Sequence, residues 1–407
     1  MYKRGVKTKK RGYRPRKRTL VGLAILVVAS LVGWLLIRPL PDPTYQVAPL
    51  ATPASSVQLT WPSTGEAAIE TQYISPVLDN GVTRPLPTAS TAKLITSLVV
   101  LQRQPLDLGE FGPGLTLSST DVDIYNKYVA QGGSVVRVSP GENIREYQAL
   151  QALLLPSANN MADSMAAWAF GSLGDYQKAA TAYVQALKLT DTVIGSDASG
   201  FAPSTTSTPH DLVLIGEQVL ASPVLTQIAG QKIATIPIEG NISNVNSLLG
   251  TNGIIGLKTG NNDQDLGAFV FAAHYDVAAG QTVTLIGAVM GMPSLNAALG
   301  ASVPLLKSAE ANLSYGATVQ AGKLVATYTT AWGAHVQAVA KQDVSAVMWR
   351  GTTLKPTVNM QTKSLDFEKG ATVGNVTVNS GLKSTSSDVV LAQAIPQPSL
   401  WWRLTHF

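Results

Sequence analysis

The strongest constraint in this chain is a nineteen-residue stretch without a charge, Thr19 to Ile37 (TLVGLAILVVASLVGWLLI). As an α-helix rising 1.5 Å per residue it is about 28 Å long, close to the roughly 30 Å hydrocarbon core of a bilayer. Directly before it, residues 1–18 hold ten basic side chains (Lys3, Arg4, Lys7, Lys9, Lys10, Arg11, Arg14, Arg16, Lys17, Arg18) and no acid. The formal net charge of +5 is therefore misleading, because the chain beyond residue 18 carries 20 basic and 25 acidic groups. A basic arm also suits nucleic-acid binding, but the adjacent apolar run accounts for it through the positive-inside rule. Residues 19–37 thus read as an uncleaved signal anchor in the cell membrane. The basic tail is then cytoplasmic, everything after residue 38 is outside, and no nucleic-acid partner is called for. Trp34 near the outer end fits an aromatic belt. A cleaved signal peptide is the competing reading. Its apolar region would be shorter and its exit lined by small residues, whereas here Arg-Pro-Leu-Pro-Asp-Pro follows.

Composition divides the rest. Residues 39–56, rich in Pro, Ala and Ser, read as an extended linker. From about 57 to 312 the pattern is that of a mixed helix-and-strand domain. Ala67–Tyr73 reads as a strand, a helix starts near Ser90, and helical spacing recurs over Glu146–Leu155, Asn159–Phe170 and Tyr176–Leu187. Phe269–Ala273 and Thr282–Met290 read as adjacent core strands. Helices placed between early and late strands point to an α+β or α/β arrangement, a sheet covered by helices. From 318 to 398 short β-type stretches recur at Leu324–Thr329, His335–Ala340, Ala346–Arg350, Thr372–Asn379 and Val389–Ala392, the pattern of a small all-β module. Residues 399–407 (SLWWRLTHF) form an aromatic tip, suited to a membrane interface or to plugging the β-module.

The residue inventory narrows the chemistry. Without cysteine the chain has no thiol nucleophile, disulfide or thiolate metal site. Its four histidines, His210, His274, His335 and His406, show no metal-ligand spacing. Neither a Gly-x-Ser-x-Gly elbow nor a Gly-rich phosphate loop is present, so a serine enzyme here needs a base other than histidine. Three short motifs supply one. In Ser90-Thr-Ala-Lys93, residues i and i+3 share a helix face, so an amine that is neutral at working pH can take the serine's proton. In Ser157-Ala-Asn159, a hydroxyl can relay a proton and an amide can hold a carbonyl. In Lys258-Thr259-Gly260, a cation and a hydroxyl can anchor an anionic end, while the glycine lets a substrate backbone lie close. Each has a bland counterpart: a helix N-cap for the first two and a strand ending in a turn for the third. Their order and their spacing, 64 residues from Lys93 to Ser157 and 99 from Asn159 to Lys258, make the set far more specific than any member.

On these motifs the sequence resembles the low-molecular-mass penicillin-binding proteins that act as D-alanyl-D-alanine carboxypeptidases. The blocks Pro87–Leu101, Gly133–Ser172 and Gly253–Ala273 carry the resemblance, together with Asp197–Gly200 and Ser207–Asp211. It implies a penicillin-binding-protein/β-lactamase-like transpeptidase fold, an antiparallel sheet flanked by helices, over 57–312, and a β-sandwich-like module after it. It also implies that Ser90 is the acylated nucleophile and Lys93 its base, with Ser157 and Asn159 relaying protons and positioning substrate. Lys258, Thr259 and Gly260 would form the substrate-binding strand, with the backbone N–H groups of Ser90 and Asn261 as the oxyanion hole. The implied partners are peptidoglycan stem peptides as substrate and β-lactams as covalent inhibitors, with no cofactor and no metal.

Two departures stand out. Asn261 stands where many relatives have His, and Ile255 where Asp is frequent. Moreover, no Arg lies between Arg145 and Arg350 to meet a terminal carboxylate, which leaves that contact to Lys258 and Thr259. No Glu occurs between Glu146 and Glu217, so the deacylating glutamate of class A β-lactamases is missing. A D,D-endopeptidase or transpeptidase shares all three motifs, and a non-catalytic wall-binding protein would show a decayed site rather than an intact one.

Overall fold

The computed structural model describes residues 17–50, 57–81, 84–261, 267–350, 354–363 and 366–406. Most of the basic tail therefore lies outside the described residues, as do 51–56 of the expected linker. The helices are α1 (Lys17–Ile37), α2 (Ala92–Arg103), α3 (Ser119–Ala130), α4 (Glu146–Leu154), α5 (Asn159–Phe170), α6 (Leu173–Ala186), α7 (Pro209–Leu220), α8 (Pro223–Ala229), α9 (Leu295–Asn312) and α10 (Leu400–Thr405). Within α1, Leu20–Ile37 is long and apolar enough to cross a membrane, and most of its large side chains, such as Leu26 and Ile37, are exposed.

At the centre is a five-stranded antiparallel sheet, in the order Ile254–Gly260, Gly267–Ala278, Gln281–Met292, Glu66–Thr71, Ile74–Asp79. The expected pair of core strands is found here, each longer than the apolar stretch that announced it. Alternation along these strands sends successive side chains to opposite faces. Val270, Ala272, Ile286 and Ala288 join a core with α2, α4, α5 and α7. Phe269, Phe271, Leu285 and Val289 face α9 on the other side. Both faces are covered, so the strands read as continuous apolar runs.

The helices end where local chemistry dictates. α5 stops at Gly171, which adopts φ +85° as a left-handed C-terminal residue. The hydroxyl of Thr208 accepts from Asp211 N–H and Pro209 opens the first turn of α7. The Ser-Thr-Pro-His-Asp block thus carries a helix-start signal of its own, apart from the resemblance.

The β-module has a six-stranded antiparallel sheet, ordered Thr44–Val47, Leu324–Thr329, His335–Ala340, Ser384–Leu391, Thr372–Asn379, Thr357–Met360. Its first strand corrects the linker expectation over 39–56. Thr44–Val47 pairs in register with Thr329–Ala326, and the Tyr45 ring packs on Tyr328 with centroids 5.9 Å apart. Leu324–Thr329 would otherwise present an open edge, and extended residues close to it satisfy that edge. A separate pair, Leu313–Val319 with Val344–Trp349, follows α9. It inserts fully buried Trp349 among Leu305, Leu306 and Phe271 beneath the central sheet. Trp349→Ala should therefore cost about 3–5 kcal/mol of unfolding free energy, measured by denaturant titration.

The aromatic tip forms α10, capped by Ser399. The Arg403 guanidinium donates to the Leu36 carbonyl at 2.7 Å, at the end of α1. Trp402 packs edge-on to Trp332 at 5.7 Å and stacks on His406, whereas Leu400 and Trp401 stay 70% and 75% exposed.

Candidate active site

Ser90 sits in a single 3₁₀ turn, Ala89–Thr91, that runs directly into α2. Its predecessor Ala89 has φ +46°, a left-handed conformation that costs a non-glycine residue roughly 1–3 kcal/mol. The surroundings hold it there: the Thr88 N–H donates to Thr205 O at 3.0 Å, and the Thr91 hydroxyl donates to Thr88 O at 2.7 Å. One helical turn on, Lys93 is fully buried, and its Nζ lies 2.8 Å from Ser90 Oγ.

Two further oxygens meet that amine: Asn159 Oδ1 at 2.7 Å and the Ser199 carbonyl at 2.9 Å. Both of these oxygens only accept hydrogen bonds. A neutral amine has two N–H groups and one lone pair. When the two N–H groups serve Asn159 and Ser199, the lone pair is left for the Ser90 hydroxyl proton. Burial holds the Lys93 amine well below its ordinary proton affinity, and the charge on Lys258 adds to this, against the opposing pull of Asp197 and Asp163. Geometry and electrostatics therefore both favour a neutral Lys93 facing a protonated Ser90.

Asn159 opens α5, and its N–H donates to Ser134 O at 2.7 Å. The next residue, Asn160, clamps the same segment through Val136 N–H and O. A Cβ on Gly133 would stand 2.7 Å from Asn159 Nδ2, so this segment can approach the amide only with glycine there. Ser157 is buried with φ +66°, and its Oγ has no hydrogen-bond partner among the described residues.

Lys258, Thr259 and Gly260 end the edge strand of the central sheet, next to the Ser90 turn. A Cβ on Gly260 would come 3.1 Å from Thr88 O and 3.2 Å from the Thr91 methyl. Lys258 is 1% exposed, donates to Thr259 O at 3.0 Å, and is pushed down by burial to about 7. Among the described residues, no direct hydrogen bond joins Ser157, Thr259 or Asn261 to Ser90 or Lys93. The first and second motifs are thus tied together through Lys93 and Asn159, while the third meets them by packing and charge. Asn261 is exposed at the strand's end.

Sequence reasoning missed two contributors. Ser199 offers a backbone carbonyl, which any residue type carries. Asp163, one helical turn beyond Asn159, looks like an ordinary helix residue until it is found 1% exposed beneath the site.

Residues 75–294 match the family model described as D-alanyl-D-alanine carboxypeptidase. The chain belongs to that family. The D-alanyl-D-alanine carboxypeptidase DacB2 of Mycobacterium tuberculosis is 33% identical over 192 residues, 46% of this chain and 62% of the relative. The D-alanyl-D-alanine carboxypeptidase DacA of Escherichia coli K12 is 31% identical over 214 residues, 50% of this chain and 49% of the relative. The chain thus spans less than two thirds of the length of either. Among solved structures, penicillin binding protein 5 from Haemophilus influenzae superposes with TM-score 0.58 at 20% identity, over 84% of this chain and 99% of its own. The Streptomyces K15 DD-transpeptidase does so with TM-score 0.54 at 21% identity, over 61% and 98%. These likenesses establish the penicillin-binding-protein fold expected from the sequence.

Proposed function

We propose that this family member is a serine D,D-carboxypeptidase that removes the terminal D-alanine from peptidoglycan pentapeptide stems through a Ser90 acyl-enzyme. The observation that carries the reading is the three-way environment of Lys93 Nζ, which leaves its lone pair for Ser90. As the Ser90 O–H proton passes to Lys93, Oγ attacks the carbonyl carbon of the penultimate D-alanine. The resulting oxyanion is met by the backbone N–H groups of Ser90 and Asn261, donors of a kind worth about 3–4 kcal/mol each. The C–N bond then breaks, and the departing amine takes the proton that Lys93 gained, relayed by the Ser157 hydroxyl, whose Oγ is otherwise unpartnered among the described residues, so that Lys93 is neutral again. Water then attacks the ester carbonyl while giving a proton to neutral Lys93. The Ser90 Oγ–carbonyl bond breaks, and Lys93 returns that proton to Ser90 Oγ, releasing the shortened peptide as its carboxylic acid. β-Lactams acylate the same oxygen and leave slowly. Release of D-alanine from a pentapeptide, compared with cleavage of cross-linked dimers, tests the reading. Pentapeptide trimming lost in Ser90→Ala supports it, and cleavage of dimers alone overturns it.

Lys258 and Thr259 hold the terminal carboxylate in this scheme. A carboxylate binds the protonated ammonium, so affinity is highest below about pH 7 and weakens as pH rises through the Lys258 transition. KM for a D-alanine-terminated peptide should climb above that pH, by up to about tenfold per pH unit. A flat KM from pH 6 to 9 would remove Lys258 from this role.

The same proposal seats the protein in the cell membrane through α1, with the basic tail cytoplasmic and the catalytic domain outside. Support comes from the charge asymmetry around α1 and from the packing of α10 on its outer end, where exposed Leu400 and Trp401 suit a lipid interface. Protease added to spheroplasts should degrade the catalytic domain while sparing an N-terminal tag. Protection of the domain would reverse the orientation.

A further inference from the structure

A second polar assembly lies behind Lys93, and the acylation chemistry as described makes no use of it. Asp163 on α5 accepts from the Ala198 N–H at 3.0 Å through Oδ1 and from the Tyr128 hydroxyl at 2.8 Å through Oδ2. Asp197 accepts from the N–H and hydroxyl of Ser199 at 2.8 and 2.6 Å, and from the N–H of Ala202 at 3.0 Å. Two buried carboxylates thus gather successive backbone donors of one loop, and that loop carries the Ser199 carbonyl to Lys93. Asp163 also meets Lys127, at 3.9 Å, but that ammonium is half exposed to solvent.

Resting on the acyl-enzyme reading above, we infer that Asp163, with Tyr128 and Asp197, is a positioning unit: it fixes the Ser199 carbonyl on Lys93 and balances the positive charge that Lys93 gains when it takes the Ser90 proton. Without these carboxylates, the ammonium formed in that step would keep the Asn159 and Ser199 oxygens as acceptors but would be buried beside the Lys258 side chain with no negative charge to balance it. The unit is a compromise. Its negative charge makes Lys93 a stronger base, while burial and Lys258 keep that base unprotonated. Among the described residues, the charged groups that act on Lys93 are Lys258 on the edge strand, Asp163 on α5 and Asp197 in the loop; Tyr128 and Lys127 on α3 meet Asp163, and the Tyr176 hydroxyl on α6 is 2.7 Å from Thr96 Oγ1.

Two substitutions of opposite sign test the inference in the full-length protein, by the rate of labelling with a fluorescent penicillin from pH 4 to 9. Asp163→Asn keeps an oxygen for the Ala198 N–H and an amide facing the Tyr128 hydroxyl, but removes the charge. Lys93 then binds its proton less tightly, so the acid limb of the labelling rate should move down by about half a pH unit or more, and the plateau rate should fall several-fold. Lys127→Glu alters an exposed side chain and adds negative charge on the same side, so the limb should move up. Opposite displacements support the inference. A limb that moves in neither variant, with melting temperatures unchanged, overturns it. If Asp163→Asn fails to fold, Lys127→Glu alone decides, and an unmoved limb overturns the inference. Absence of any Ser90 label in the wild type would instead strike the acyl-enzyme reading itself.

Discussion

Lys93→Met should lower the rate of penicillin acylation of Ser90 about a thousandfold, within the 10² to 10⁴ range typical of a lost general base. Methionine matches the lysine stem in length and apolar character, so it fills the buried channel beside α5. What disappears is the lone pair 2.8 Å from Ser90 Oγ. A stability cost comes with it, because Asn159 Oδ1 and the Ser199 carbonyl lose their donor; each buried orphan costs about 1–3 kcal/mol. Lys93→Arg separates two accounts of the residue. Arginine supplies a permanent cation and several donors but does not give up its proton in a protein. If Lys93 acts as a base, the arginine variant is as slow as the methionine variant. If it acts only as a charge, the arginine variant is substantially active. Labelling rates for the wild type and both variants, read beside their melting temperatures, decide between these outcomes.

The second large effect belongs to Gly200. It adopts φ +69°, and an added Cβ would lie 2.1 Å from the Ala89 carbonyl and 2.7 Å from the Ala92 Cβ. Both contacts fall on the turn that presents Ser90, so Gly200→Ala strains its own backbone and pushes the Ser90 turn away. Left-handed strain of about 1–2 kcal/mol and an overpacking penalty of about 1–3 kcal/mol combine to a loss of roughly 2–5 kcal/mol. A displacement near 1 Å costs about a hundredfold in rate, so acylation should slow by at least about that factor in the fraction that folds. Gly300 on α9 is the control. No atom lies within 4 Å of its Cβ position, so Gly300→Ala should leave labelling unchanged and stability equal or slightly higher. Similar behaviour of the two variants in chemical denaturation and labelling would contradict the packing described around Ser90.

Much of this architecture can be read from residues alone, for identifiable reasons. The apolar helix α1 and the bounds of α5 follow from long uninterrupted patterns, closed by Arg-Pro in one case and Gly171 in the other. The pairing of Ser90 with Lys93 follows from helix periodicity, and Asn159 from its motif. Thr44–Val47 reads as linker because a strand that completes another module's edge needs no pattern of its own. α9 escapes a sequence reading because Pro304 interrupts its eighteen residues and its alanines carry no strong period. The Ser199 carbonyl is invisible to any reading of side chains. Asp163 and Tyr128 lie 35 positions apart in sequence, and only the packing of α3 on α5 brings them together.

The claim on which the account stands is that Ser90 forms the covalent bond. Peptide mapping by mass spectrometry after incubation with benzylpenicillin tests it most directly. The wild-type peptide containing Ser90 should gain the mass of one intact penicillin, with fragment ions placing it on Ser90, and Ser90→Ala should show no adduct. An unmodified wild-type peptide, an adduct on another residue, or equal labelling of Ser90→Ala would contradict the account.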